Sequence, residues 1–189
     1  MARAGADTRR QLVEAALQTL RTAGFAGASS RAIARAAGVN QALLFYHFGS
    51  LNSLLLAALD QTSAERLARY RAAVAEAETA EELASVLARV YAEDRDSGHM
   101  SVVAQMVAGS VAHPELAPAM LDRMEPWLDL AEEALRKAEV PALVPLRELA
   151  YAVVTFYLGV NLLTHLDEDR SRTDALFAHA PELAKLLER

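Results

Sequence analysis

One stretch of twenty residues, Ser29 to Phe48 (SSRAIARAAGVNQALLFYHF), restricts this chain more than any other. The hydroxyl pair Ser29-Ser30 can cap the open backbone N–H groups of a helix. Ile33, Ala34 and Ala37 follow at helical spacing and give it a narrow apolar face. Gly38 stands where a helix ends in a left-handed residue, and Val39 plugs the turn. Asn40 suits the cap of a second short helix, Gln41 to His47. Leu44 and Phe48, one turn apart, face inward with Val39. Gln41, Ala42, Leu43, Phe45, Tyr46 and His47 are left for another surface.

Two short helices around a glycine turn make either an ordinary helical hairpin or a helix-turn-helix, whose second helix offers side chains to base edges. Charge bears on the choice. The whole chain carries −6, which argues against nucleic acid. Residues 1–50, however, hold six arginines against Asp7 and Glu14, a surplus of four positive charges. The remainder carries a deficit of ten, with 13 basic and 23 acidic residues. A basic first quarter can meet phosphates, and an acidic remainder is kept from them.

The composition predicts an all-α chain. Hydrophobic residues are 53% of 189, with only 8 glycines and 6 prolines, and no alternating β-branched run of any length occurs. The chain has no cysteine, which removes disulfides and thiolate chemistry. The start, MARAGADTRR, lacks the apolar core of a signal peptide, and the cytoplasm is expected. Residues 1–6 read as a loose arm. Helix 1 opens at Asp7-Thr8, with Thr8 and Gln11 as a capping box, and ends at Gly24, with Phe25 as a plug. Ser50 caps helix 4, about Leu51 to Ala77, with Glu65 and Arg69 paired on its outside. Thr79, Glu81 and Glu82 start helix 5, and Asp96-Ser97-Gly98 closes it. Helix 6, about His99 to Ala112, is apolar nearly all round and predicts a buried central helix. Helix 7 runs from Glu115 to Ala138 with a kink near Pro126. Helix 8, Pro145 to His165, tempts a membrane reading. Thr155, Gly159 and Asn161 interrupt it, and a partner subunit covering its outer side is the economical alternative. Helix 9, Thr173 to Leu187, should kink or split at Pro181.

Several separate motifs now fall in order: Thr8-Arg9, LVEAALQTL, Gly24-Phe25, the run from Arg31 to Asn40, and Leu44-Phe-Tyr-His-Phe-Gly-Ser. Over about the first 55 residues they resemble the N-terminal domain of the TetR family of bacterial transcription regulators. The resemblance implies a three-helix helix-turn-helix head (residues 1–50) and a larger helical ligand-binding and dimerisation domain (residues 51–189), about nine helices in all. It implies a homodimer, paired through helices 8 and 9 (residues 145–187). That dimer would bind a pseudo-palindromic operator, usually as a repressor, and be released by a small ligand. It also implies that Ser29 and Arg31 touch phosphate. Gln41, Ala42 and Leu43 would face bases, and Phe45, Tyr46 and His47 would form the aromatic and phosphate-facing side. Asn40 joins them as a DNA-binding candidate.

Two residues depart from the family pattern. Phe45 stands where the family often has Tyr, so a hydroxyl contact is lost and an apolar contact to a thymine methyl remains. Leu51 stands where it usually has Lys, which should flatten the salt slope of binding by about one unit per half-site. Gln41 can pair bidentately with adenine, and the apolar Ala42, Leu43 and Phe45 predict thymine methyls in the half-site.

For a largely apolar ligand, Tyr91, Met100, Met106, Met124, Trp127, Phe156 and Tyr157 are candidates. So are His99, Gln105 and Asn161, polar residues that need partners if buried. Each apolar member also suits plain core. His165, Asp167 and Asp169 carry metal-capable groups beside a polar loop and read as surface, so neither metal nor cofactor is expected. No catalytic motif appears and an enzyme is not expected. A ligand-responsive activator, or a helical adaptor without sequence-specific DNA binding, are the alternative readings.

Overall fold

In the computed structural model, which describes residues 2–139, 144–164 and 171–184, every regular element is a helix. In chain order these are α1 (Ala2–Gly27), α2 (Ser30–Ala36), α3 (Gln41–Phe48), α4 (Leu51–Glu76), α5 (Ala80–Ser97) and α6 (His99–Ala112). A 3-10 turn at Pro114–Leu116 follows, then α7 (Ala117–Lys137), α8 (Leu146–Thr164), α9 (Ser171–Ala178) and α10 (Ala180–Ala184).

At the ends, the expected loose arm is corrected and the expected split of the last helix is found. The loose arm is helical from Ala2, since the alanine-rich start favours continuing the helix backward past Asp7-Thr8. The last helix breaks at His179, two residues before Pro181. Pro181 then falls in the first turn of α10, where its missing N–H would have no helical partner in any case. His165, Asp167 and Asp169 lie outside the described residues.

The caps of α2, α3 and α5 are as the sequence predicts, whereas Thr8 and Gln11, expected to cap helix 1, lie inside α1. The Ser29 side chain accepts from the Ala32 N–H at 3.2 Å and Asn40 Oδ1 from the Ala42 N–H at 2.8 Å. Thr79 and Glu82 complete a reciprocal capping box at the start of α5. Gly38 and Gly98 take left-handed φ values of 67° at their helix ends.

The chain divides into two compact units, and not at residue 50. The first unit joins residues 1–64 to residues 101–122. Its core sets Leu12, Leu20, Ile33, Leu44, Leu54 and Leu55 from the first four helices against Val102, Met106, Leu116 and Met120. The expectation that α6 is buried on all sides fails in part: Val102 and Met106 are fully buried, but Val107 and Val111 are 44% and 81% exposed. Leu51 packs against this core, which is why a leucine suits that position.

The second unit joins residues 65–100 to residues 123–189. Tyr70, Val74, Leu83 and Leu130 form its buried cluster, with Leu67, Val86 and Trp127 against it. Arg147 at the start of α8 ties that helix to α7 through Glu125, Asp129 (2.7 Å) and Glu132 (3.5 Å). Lys137 caps the end of α4 by donating to the carbonyls of Val74 and Ala75 at 2.9 and 2.7 Å.

Candidate nucleic-acid interface

Helix α3 is anchored chiefly by Leu44. Leu44 is fully buried, and Val39 and Phe48 lean on the same core. The opposite side of α3 is free. Leu43, Phe45 and Tyr46 are 37%, 46% and 81% exposed, and Ala42 is exposed with them. Tyr46 is the most exposed of the three. Large apolar and aromatic groups held in water without local cover mark an interaction site.

Gln41 at the first turn of α3 is half-buried, and its Nε2 donates to Ser30 Oγ at 2.7 Å. This contact links the two short helices and orients the amide before any base is met. His47 is half-buried and meets the Tyr46 ring edge-on at 5.0 Å. Arg9 of α1 lies over the Phe48 ring at 5.0 Å, so α1 brings a cation to the end of α3. Ser29, Arg31 and Arg35 are exposed on α2 and its cap. Positive charge therefore surrounds an apolar helix face, with no acid on α2 or α3.

Behind this surface α1 breaks at Gly24 (φ 68°, ψ −177°), a conformation open to glycine alone. The break leaves the Phe25 N–H without a helical partner, and Gln105 Oε1 of α6 accepts it at 3.1 Å. The Phe25 ring fills the space above Gly109, where an added Cβ would stand 2.4 Å from it. It also meets His113 at 5.5 Å.

These contacts correct the expected ligand set. Gln105 serves the α1 break, and Met106 is fully buried in the first unit's core. Phe156 is 57% exposed, on the outer side of α8. The other candidates belong to the second unit. Tyr91, His99, Met100 and Asn161 are buried, and Met124, Trp127 and Tyr157 are half-buried. Tyr91 stacks on Phe177 at 4.1 Å and donates to Asp174 at 3.1 Å. Asn161 donates to the Tyr157 carbonyl at 2.9 Å.

The sequence reading missed a buried charged cluster in this unit. Asp94 of α5, 2% exposed, pairs with Arg66 of α4, 6% exposed. Tyr70 and Tyr157 donate to the same carboxylate at 3.0 and 2.6 Å. Burial raises the pKa of both phenols, so they stay protonated donors. Burial likewise lowers that of Arg66. The outer pair runs from Arg69 to Glu93 at 3.3 Å, where Glu65 had been expected. In sequence Arg66 and Arg69 look like the solvated side of a long helix. Tyr70, one turn after Arg66, is the only local sign of burial there.

Residues 12–58 match the family model described as bacterial regulatory proteins, tetR family. No curated protein sequence matches the chain. Among solved structures, the transcriptional regulator FadR from Bacillus subtilis in complex with stearoyl-CoA superposes with a TM-score of 0.76 at 15% identity, over 93% of this chain and 96% of that one. A TetR-family transcriptional regulator from Rhodococcus sp. gives 0.74 at 21%, over 96% and 98%. The multidrug binding protein EbrR complexed with imidazole gives 0.66 at 27%, over 95% and 88%. Residues 12–58 thus carry the N-terminal domain of the tetR family of bacterial regulatory proteins, on a chain that has the fold of the family's solved members.

Proposed function

We propose that the chain is a transcriptional repressor that binds a pseudo-palindromic operator as a homodimer and releases it when a small, largely apolar molecule enters the second unit. The observation that carries the reading is α3 itself: Leu44 is buried while Ala42, Leu43, Phe45 and Tyr46 stand exposed beside arginines. An ordinary helical hairpin would have no reason to hold that face open.

In this reading Gln41 reads adenine, and Ala42, Leu43 and Phe45 take up thymine methyls. Ser29, Arg31 and the Asn40 turn hold the backbone, with Tyr46 and His47 along the phosphate edge. The homodimer is supported by α8. Tyr151 and Leu162, and beside them Phe156 and Leu163, are each more than half exposed and share one broad side of the helix, while Ala150, Asn161 and Thr164 face inward. A helix this apolar could also cross a bilayer by composition, but its inner side is tied to other helices, Tyr157 donating to the buried Asp94 of α5 and Thr164 to Thr173 of α9. An identical α8, with Leu176 of α9 alongside, is the cover this stripe suits. FadR and EbrR, which share the fold, are described with stearoyl-CoA and imidazole bound, and this supports a ligand-responsive second unit.

Selection of bound sequences from a random DNA pool tests the reading. A palindrome with A·T-rich half-sites, about one helical turn or roughly 34–36 Å apart or somewhat more, is expected. A pool without enrichment overturns it.

A further inference from the structure

The buried cluster around Asp94 is complete except at one atom. Arg66 Nη2 pairs with Asp94, and Nη1 donates to Ser97 Oγ at 3.3 Å. Arg66 Nε is buried and has no acceptor among the described residues. A buried N–H left unpaired is costly, the more so on a charged group. Both oxygens of Asp94 are engaged. Its Oδ1 takes Arg66 and the Tyr70 hydroxyl, and its Oδ2 takes the Tyr157 hydroxyl.

Among the described side chains the charges here are balanced. Arg66 cancels Asp94, and at the cluster's edge Arg69 cancels Glu93. A second anion brought to Nε would bury a net negative charge against Asp94. A cation would meet a guanidinium and a carboxylate whose oxygens are taken. The neighbouring surfaces are aromatic. The Arg66 guanidinium lies 5.5 Å from the centre of the Tyr70 ring, which meets Trp127 at 6.2 Å. Tyr157 meets Phe177 at 6.2 Å.

We propose that Arg66 Nε is the polar anchor of the effector site, and that the effector is an uncharged, mostly apolar molecule presenting a carbonyl oxygen to it: a lactone, ketone, ester or amide. This rests on the reading of the chain as a ligand-responsive regulator. Such an oxygen completes the guanidinium without disturbing the charge balance, and the aromatic rings take the apolar body. The anchor belongs to α4, the helix that follows the recognition helix in the chain.

Calorimetry on the full chain tests this with medium-chain aliphatic lactones and methyl ketones, the matching carboxylic acids and the matching primary amines. The uncharged probes should bind at least about tenfold tighter than the acids or amines. Arg66→Lys keeps a cation facing Asp94 but lacks the planar fork, and it should lower the affinity of the uncharged probes by about tenfold. If Arg66→Lys fails to fold, the ranking on the unmodified chain decides alone. Preference for acids or amines, no binding by any uncharged probe, or unchanged affinity in a folded Arg66→Lys chain overturns the proposal. Uncharged probes that bind a chain for which DNA selection finds no operator would refute the regulator reading and leave the site standing. An enriched operator with a preference for charged probes would do the reverse.

Discussion

The Tyr157 hydroxyl donates to Asp94 Oδ2 at 2.6 Å and so fastens α8 to α5 at the carboxylate that also holds α4. Removing this hydroxyl takes away one hydrogen bond to a charged group. Tyr157→Phe should cost about 1.5–3 kcal/mol. Asp94→Asn leaves Arg66 buried without its counter-charge and should cost more, about 3–5 kcal/mol. Urea unfolding followed by circular dichroism measures both, and equal losses would show that the pair contributes nothing beyond the hydroxyl contact.

The same phenols set an alkaline limit. Burial, ahead of any other cause, holds Tyr70 and Tyr157 above the ordinary phenol value of 10.0 in the folded chain. A raised folded pKa contributes stability that is whole below the unfolded value and is lost as pH rises through the folded one. Unfolding free energy should therefore fall as pH climbs past about 10. In Tyr157→Phe the decline should be shallower, as read by denaturant titrations at stepped pH.

The α1 break is sensitive to a single methyl. Gly109→Ala places a carbon 2.4 Å from the Phe25 ring, and the ring must leave its seat. The expected loss is about 1–3 kcal/mol, typical of overpacking. Gln105→Ala strands the Phe25 N–H and should cost a similar amount, about 1–3 kcal/mol. Amide exchange at Phe25 should quicken in both variants.

Gln41 and Arg31 should fail differently on DNA. Gln41→Ala should cost about 1–3 kcal/mol at one base position per half-site and relax the preference there. Arg31→Ala should weaken binding to all sequences and lower the salt slope by about one unit per half-site. Ser30→Ala frees the Gln41 amide from its 2.7 Å partner and should blunt the same base preference. Fluorescence anisotropy across operator variants and salt concentrations separates the three. A half-site of G·C pairs alone would contradict the apolar surface of Ala42, Leu43 and Phe45.

The outer side of α8 yields a fourth measurement on DNA. Phe156→Glu together with Leu163→Glu puts charges on residues 57% and 63% exposed. The variant should fold and sediment as a monomer, and its operator affinity should collapse because two half-sites are no longer bound at once. A dimer that survives both charges would move the interface elsewhere.

Helix existence and caps were legible because they are local. Ser29, Gly38, Asn40 and Thr79 each act on backbone within a few residues, and each stands where the sequence placed it. The exposed face of α3 was legible too, since Leu44 and Phe48, one turn apart, take the inward register. What escaped was long-range. Gln105 lies 80 residues from the N–H it serves, and nothing in its own helix distinguishes that task from lining a cavity. Phe156 and Tyr157 are neighbours in an apolar run, yet one lies outside and the other donates to a buried acid. Arg66 gave no signal in the sequence because its charge partner, Asp94, comes from another helix.

Completion of the first unit's core by residues 101–122 bears on how such a protein is re-engineered. Its DNA-reading part is not a cassette. A chimera cut after residue 50 would export the reading surface without Val102, Met106, Leu116 and Met120, which share its core. Specificity is better exchanged at the exposed positions of the recognition helix, Ala42, Leu43, Phe45 and Tyr46, on a scaffold left whole. A graft of the entire head must carry both segments of chain.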